Sequence, residues 1–388
     1  MSSQVLSPTA SGRFDADVIV VGAGVAGAAA AYHLAARGHR VKLLEARRMP
    51  RSKPCGGGMA ASVQRLFPFD LSPAVDQVIT RVRFTWCLED PVLADLPGEA
   101  PFWIVQRSRF DAFLADQAVA AGAELLDGCP VSALHPCGDH WRLERENGSP
   151  LVARAVVLAD GARSRLNGHL GLGSPRPRYA SALAVEVEGA VPDPATARFE
   201  FGLVRHGFCW AFPRQGGFSI GVGTFLGREL SDADTVLAEL LPSLGLPAGA
   251  GVRSHWPLRV WDGHHRLHGD GVVVVGDAAS LGDPFLAEGL RPALLSGTRA
   301  AEALDRWLAG DSAALAGYTE AMRLEWGQSM AWGRRIAQVF YRLPRVGYQL
   351  GIKRATAPQR IAQILSGEMG YGDIAQRVIR RLLFNGTG

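Results

Sequence analysis

The chain has 388 residues, 47% hydrophobic and 20% charged, with Gly (46) and Pro (23) below the level of a low-complexity chain, which excludes wholesale disorder, collagen and coiled coil. A formal charge of only +4, from 41 basic and 37 acidic residues, excludes a nucleic-acid coat unless the charge is unevenly placed. The five cysteines (Cys55, Cys87, Cys129, Cys137, Cys209) form no C-x-x-C pair, so neither a disulfide framework nor a structural zinc site is expected, and a reducing, cytoplasmic compartment fits best.

Residues 1–14 read as a flexible tail without the charged start and apolar core of a secretion signal. Asp17-Val18-Ile19-Val20-Val21 is a β-branched apolar run of the kind expected for a central parallel strand covered on both faces. Gly22-Ala23-Gly24-Val25-Ala26-Gly27 follows at once and opens an Ala-rich helix that ends near Gly38. Gly22 permits the tight turn, Gly24 lets a pyrophosphate approach the backbone, and Gly27 lets helix and strand pack closely, while the helix N-terminus offers free N–H groups to the anion. The next strand ends in Glu45, where an acid accepts from a ribose 2′-hydroxyl, favouring FAD or NAD over NADP.

A glycine-rich loop, Lys53-Pro54-Cys55-Gly56-Gly57-Gly58-Met59, comes next, then an insertion near 81–103 containing Trp86, Phe102 and Trp103. The strand Ala155–Leu158 runs into Asp160-Gly161-Ala162-Arg163-Ser164, by itself an ordinary turn. Between about 171 and 264, Leu183, Val185 and Val187 alternate with Glu186 and Glu188, which predicts strands with one apolar face. The same region holds Phe208-Cys209-Trp210-Ala211-Phe212-Pro213-Arg214 and the glycine-rich Gly216–Gly223. These aromatics suit a long apolar cavity and equally suit plain core. His264, His265 and His268 lie in a polar turn with no partner ligand evident, so no metal site is expected. A buried-type strand, Val272–Val275, ends in Gly276-Asp277-Ala278-Ala279 and leads to Glu288-Gly289 and a helix from Leu290; Asp277 reads either as a ribityl partner or as a helix cap.

From residue 334 onward, ten basic residues stand against Glu368 and Asp373, so the last 55 residues carry +8 and the first 333 carry −4. Ile336, Val339, Phe340 and Leu343 keep helical spacing before Pro344, and Ile374, Val378 and Leu382 repeat the idea. Basic flanks with apolar stripes suit a helix lying on an anionic membrane surface, on the inner face of the membrane; a helical cap packed on the body is the plainer alternative. No nucleic-acid recognition module accompanies the charge.

In their order and spacing, Gly22–Gly27, Asp160–Ser164 and Gly276–Ala279 resemble the flavoprotein superfamily typified by para-hydroxybenzoate hydroxylase. Pro54–Gly58 and Phe208–Pro213 are similar to motifs of the geranylgeranyl reductase family within it, and the resemblance covers roughly residues 15 to 325. It implies an α/β (α+β overall) architecture: a Rossmann-like FAD-binding domain from 15–80, 104–170 and 265–325, a mixed β-sheet substrate domain from 81–103 and 171–264, and a C-terminal basic helical region, 326–388. It implies FAD contacts at Ala26, Glu45, Cys55, Gly56, Gly58, Arg107, Val131, Asp277, Gly289 and Leu290, beside Gly22, Gly24, Gly27 and Asp160 of the fingerprints. Arg107 read without the family is a surface salt bridge at a helix start. The resemblance further implies a polyprenyl substrate against Phe208, Trp210 and Phe212, NADPH or ferredoxin as a transient reductant, and Cys55 as proton donor or reactive thiol near the flavin. The same fold leaves open a hydroxylating monooxygenase and a non-redox carotenoid cyclase or isomerase. Ala287, where the family commonly has glycine, and Arg291-Pro292, where apolar residues are usual, depart from the pattern.

Overall fold

The computed structural model describes residues 13–99, 101–225, 232–354 and 357–376; most of the expected tail 1–14, and Arg377, Val378, Arg380, Arg381 and Leu382, lie outside the described residues. In chain order the helices are α1 (Val25–Ala35), α2 (Arg107–Ala120), α3 (Ala233–Ser243), α4 (Leu290–Leu308), α5 (Ala314–Met322), α6 (Gln328–Arg342), α7 (Pro344–Gly351) and α8 (Ala357–Leu365). The architecture is mixed α/β with a Rossmann-like nucleotide-binding sheet.

The strand Ala16–Val21 pairs in parallel with Val41–Glu45 on one side and Leu151–Leu158 on the other. Buried on both faces, it reads as a continuous apolar run rather than an alternation. The sheet runs His268–Gly269, Val272–Val274, Leu151–Leu158, Ala16–Val21, Val41–Glu45, Glu124–Asp127, with Trp141–Arg145 and Val131–Pro136 added as an antiparallel pair. Alanine-rich α1 lies under α4 so closely that a methyl group on Gly297 would overlap the Ala26 carbonyl. Small side chains are thus what lets two helices meet over the glycine turn.

A seven-stranded sheet runs Val252–Val260, Arg178–Glu188, Gly217–Thr224, Gly207–Arg214, Thr196–Phe201, Arg81–Trp86, Glu89–Asp95. Its side chains sort by strand parity. Leu183, Val185, Val187, Cys209 and Ala211 face away from the nucleotide sheet and close an aliphatic layer with Val236, Leu237, Leu240 and Leu241 of α3. Ala180, Ala184, Phe208, Trp210 and Phe212 belong to the main core on the other face. Phe102 and Trp103, grouped by sequence with this sheet, lie instead on a separate three-stranded sheet of Gly58–Ala60, Phe102–Ile104 and Gln77–Ile79, because Phe102–Ile104 pairs with the end of the glycine-rich loop.

Aromatic residues anchor the C-terminal helices. Phe340 and Tyr341 of α6 pack on Phe285, and Tyr348 of α7 packs on Trp86. Tyr341 donates to the Phe285 carbonyl at 2.6 Å and Tyr348 to the Asp90 carbonyl at 2.6 Å, which satisfies the buried phenols. Pro344 ends one helix and starts the next, as its missing N–H dictates. The apolar stripe expected over Ile336, Val339, Phe340 and Leu343 is split: Phe340 is buried, whereas Val339 and Leu343 face outward. Among the described residues no helix is long and apolar enough to cross a membrane.

Candidate active site

Gly22 ends the first strand at φ +104°, in the left-handed region that an L side chain avoids, and a methyl on Gly27 would overlap its carbonyl. Helix α1 then starts at Val25 with Gly24 as its N-cap and no side-chain cap, leaving its first N–H groups free. Two guanidiniums flank this opening: a Cβ on Gly24 would lie 3.6 Å from Arg51 Nη2 and 3.9 Å from Arg107 Nη2.

Both arginines are buried and fixed by acids. Arg107 is no surface ion pair; its Nε and Nη2 donate to the two oxygens of Asp111 at 2.7 and 2.8 Å, one turn along α2. Arg51 donates from Nη1 to Asp111 Oδ2 at 2.9 Å and from Nη2 to Glu45 Oε2 at 3.1 Å. Burial works to raise the Asp111 carboxyl, but Arg107 and Arg51 hold it below the ordinary carboxylate range, so Asp111 is ionised. Glu45 accepts from the Ala23 and Arg47 amides and from Arg51, three of roughly four lone-pair sites of a carboxylate. One is left for a ribose hydroxyl.

Gly24, Ala26, Cys55, Gly56, Arg107, Trp210, Asp277, Gly289 and Leu290 line one cleft. Gly22, Gly27 and Glu45 support it from behind. Ala159 and Gly161 line it on either side of Asp160, whose buried Oδ1 has no partner among the described residues and whose carboxyl is raised by burial. Val131 does not line the cleft; it lies two residues beyond Cys129, whose N–H donates to the Glu45 carbonyl at 2.8 Å. Asp277 is not the cap of α4, a position that Gly289 takes; it receives Lys53 Nζ at 3.2 Å across the cleft. The uncapped starts of α1 and α4 therefore converge on one space, and both favour negative charge there.

A second cavity adjoins the first at Cys55, Gly56, Trp210, Gly289 and Leu290, and adds Gly58, Phe208, Phe212, Phe102, Phe199 and Glu288. The glycine-rich loop is the partition. Methyl groups on Gly56 and Gly58 would press on Phe212 at 3.1 Å, so only glycine lets this loop lie flat on the aromatic strand. Gly221, opposite Trp210 in the neighbouring strand, leaves the space that the indole fills. The Cys55 thiol accepts from the Gly57 N–H at 3.4 Å and stands where the two spaces meet.

The sequence reading missed three features. Arg51 sits in a basic run, Arg47 to Arg51, that looks like solvated surface, and its partner Asp111 is 60 residues away. Ala180, Ala182 and Ala184 form the low floor of the cleft, where larger residues would fill it. Glu288 is a partly buried acid on the wall of the second cavity: Oε2 pairs with Arg291 at 2.8 Å, Oε1 has no hydrogen-bond partner among the described residues, and burial raises its carboxyl despite Arg291.

These residues fit FAD. The indole N–H groups of Trp210 and Trp256, unpartnered among the described residues, line the cleft and await a polar partner inside it, and a glycine cradle with two fixed cations and an uncapped helix start suits a pyrophosphate. Fold and site define a flavin-dependent oxidoreductase, and the profile of the FAD-dependent oxidoreductase family matches residues 17–67 and 99–307. The chain is 33% identical over 312 residues to digeranylgeranylglycerophospholipid reductase 1 of Methanopyrus kandleri, covering 74% of this chain and 79% of that one. It is 30% identical over 306 residues to geranylgeranyl diphosphate reductase of Rhodobacter capsulatus, covering 74% of each. A geranylgeranyl bacteriochlorophyll reductase-like protein of Thermoplasma acidophilum shares the fold, with a TM-score of 0.78, 19% identity and 95% of each chain covered. The chain belongs to the geranylgeranyl reductase family of FAD-dependent oxidoreductases.

Proposed function

We propose that the protein saturates isolated C=C bonds of an isoprenoid chain, drawing electrons from NADPH or ferredoxin through FAD. The supporting observation is the apolar, aromatic cavity that opens onto the cofactor cleft at Cys55 and Trp210. Such a substrate resides in lipid, so the reading includes contact with an anionic membrane surface.

In this reading Gly22, Gly24, Ala26, Gly27 and Arg107, with Arg51, hold the pyrophosphate; Glu45 takes the ribose, and Val131 offers backbone near the adenine. Asp160, Asp277, Gly289 and Leu290 would hold the ribityl and ring portions together with Cys55, Gly56 and Gly58. Bound and reduced, FAD supplies a hydride. Phe208, Trp210 and Phe212 align the prenyl chain and exclude water, so a double bond rests against the Gly56–Gly58 partition.

Saturation also needs a proton on the second carbon. Cys55 and Glu288 are the protic groups of the second cavity besides the Trp210 indole. A thiol is a weak acid for an alkene, whereas a carboxyl is intrinsically the stronger acid, and burial shifts that of Glu288 toward its protonated form. Glu288 therefore delivers the proton, and Cys55 packs the ring and double bond together. Anaerobic stopped-flow mixing of the photoreduced protein with geranylgeranyl lipids tests the reading: lipid-dependent reoxidation of the flavin is expected, and its absence with every prenyl substrate overturns it.

A further inference from the structure

We infer that the outer faces of α6 and α7 form a docking surface for an anionic lipid bilayer. Val339, Leu343, Val346 and Leu350 are 69%, 60%, 50% and 54% exposed, four large apolar side chains within twelve residues. Val339 faces outward near the end of α6, Val346 and Leu350 lie four residues apart on one face of α7, and Leu343 stands exposed at the break between the two helices. The opposite side is pinned: Phe340 packs on Phe201 and Phe285, Tyr341 on Phe225, and Tyr348 on Trp86 and Phe201. The exposed stripe is thus held rigidly outward and cannot fold back into the core.

Charge selects the occupant. The exposed Arg335, Arg342, Arg345, Lys353 and Arg354 surround the stripe, and residues 328–354 contain no acid. Only Lys353 is paired, with Asp90, and Arg335 stacks on Trp332; Arg342, Arg345 and Arg354 have no acidic partner among the described residues. A second copy of this chain would bring the same positive charges face to face, which disfavours a symmetric dimer here. Phosphate headgroups over an apolar layer match both halves: the arginines meet the headgroups while the valines and leucines enter the acyl boundary. At fifteen and eight residues, α6 and α7 lie in the interface rather than cross it. Ring contacts run inward from this surface, Phe340 to Phe201 at 5.3 Å, Phe201 to Phe208 at 5.8 Å, and Phe208 to the cavity-lining Trp210 at 6.5 Å, so the docked face backs onto the aromatic wall of the second cavity.

The inference rests on the isoprenoid reading only for the substrate that docking would serve; lipid binding is measured without turnover, so the two fail separately. Flotation of the full-length holoprotein with vesicles of phosphatidylcholine, with and without phosphatidylglycerol, is the test. Binding to the anionic vesicles alone, weakened by salt, is expected. The double variant Leu343→Ser/Val346→Ser and the triple variant Arg342→Gln/Arg345→Gln/Arg354→Gln should each lower it at least about tenfold while bound FAD is unchanged. Failure of the wild type to float, or equal flotation of both variants with full FAD content, overturns the inference. So does a lipid-free dimer of the wild type that Leu343→Ser/Val346→Ser dissociates.

Discussion

The two sides of the cofactor cleft are built on opposite principles. On the nucleotide side, Arg51, Arg107, Asp111 and Glu45 form a buried, fully paired charge cluster around a glycine turn. On the sheet side, alanines and aromatic rings leave a shaped space in which the polar atoms are two unpartnered indole N–H groups. Position is intolerant on the first side because a buried charge that loses its partner is costly. Volume is what matters on the second, where a methyl group changes which ligand fits.

Breaking the charged side should have the largest effect. Arg107→Ala leaves Asp111 buried with one guanidinium, a loss of about 3–5 kcal/mol, so the protein should be purified with little flavin and unfold at lower denaturant. Flavin per chain after gel filtration and a urea midpoint check this; full flavin content would show that the cluster is not the pyrophosphate site.

Glu288→Gln comes next. Removing a general acid should slow saturation by about 10²–10⁴-fold, with flavin content and flavin reduction intact, whereas Cys55→Ala should cost far less. Because the acid must be protonated and burial raises its pKa, wild-type turnover should hold at low pH and fall as pH rises through that raised value. Single-turnover rates across pH measure both, and a Cys55→Ala loss exceeding that of Glu288→Gln would reverse the assignment of the proton donor.

On the volume-limited side, Gly221→Ala forces its methyl into Trp210. Overpacking of this kind costs about 1–3 kcal/mol, and the displaced indole should shorten the prenyl chain accepted while flavin binding stays normal. A series of prenyl lengths assayed against both proteins reads this out. The smallest effect expected is that of Ala287→Gly. Ala287 has φ +59°, and the left-handed conformation costs a non-glycine residue about 1 kcal/mol, partly offset by the greater chain entropy of glycine. A small rise in thermal midpoint is expected, and a fall would mean that its methyl group fills space in the cavity it lines.

This residue also shows what was legible in sequence. The missing family glycine at 287 stood out as a departure, and the backbone supplies its reason: the position needs a positive φ. The glycine fingerprint was readable because its turn, helix start and acid are encoded within about 25 contiguous residues. Arg51 was not readable, since its role depends on Asp111, brought beside it only by the folding of α2. Periodicity marked an apolar stripe on α6 but could not say which of its edges the core would take. Phe340 went inward on Phe285, and Val339 and Leu343 stayed outside.

The most direct test of the account is the mass of the product. The reduced protein is incubated with a geranylgeranyl lipid with and without oxygen, and the lipid is weighed by mass spectrometry. The account expects a gain of two hydrogens per saturated bond, independent of oxygen. A gain of one oxygen atom only in air would identify a hydroxylating monooxygenase, and a rearranged product of unchanged mass a non-redox isomerase or cyclase; either would contradict it.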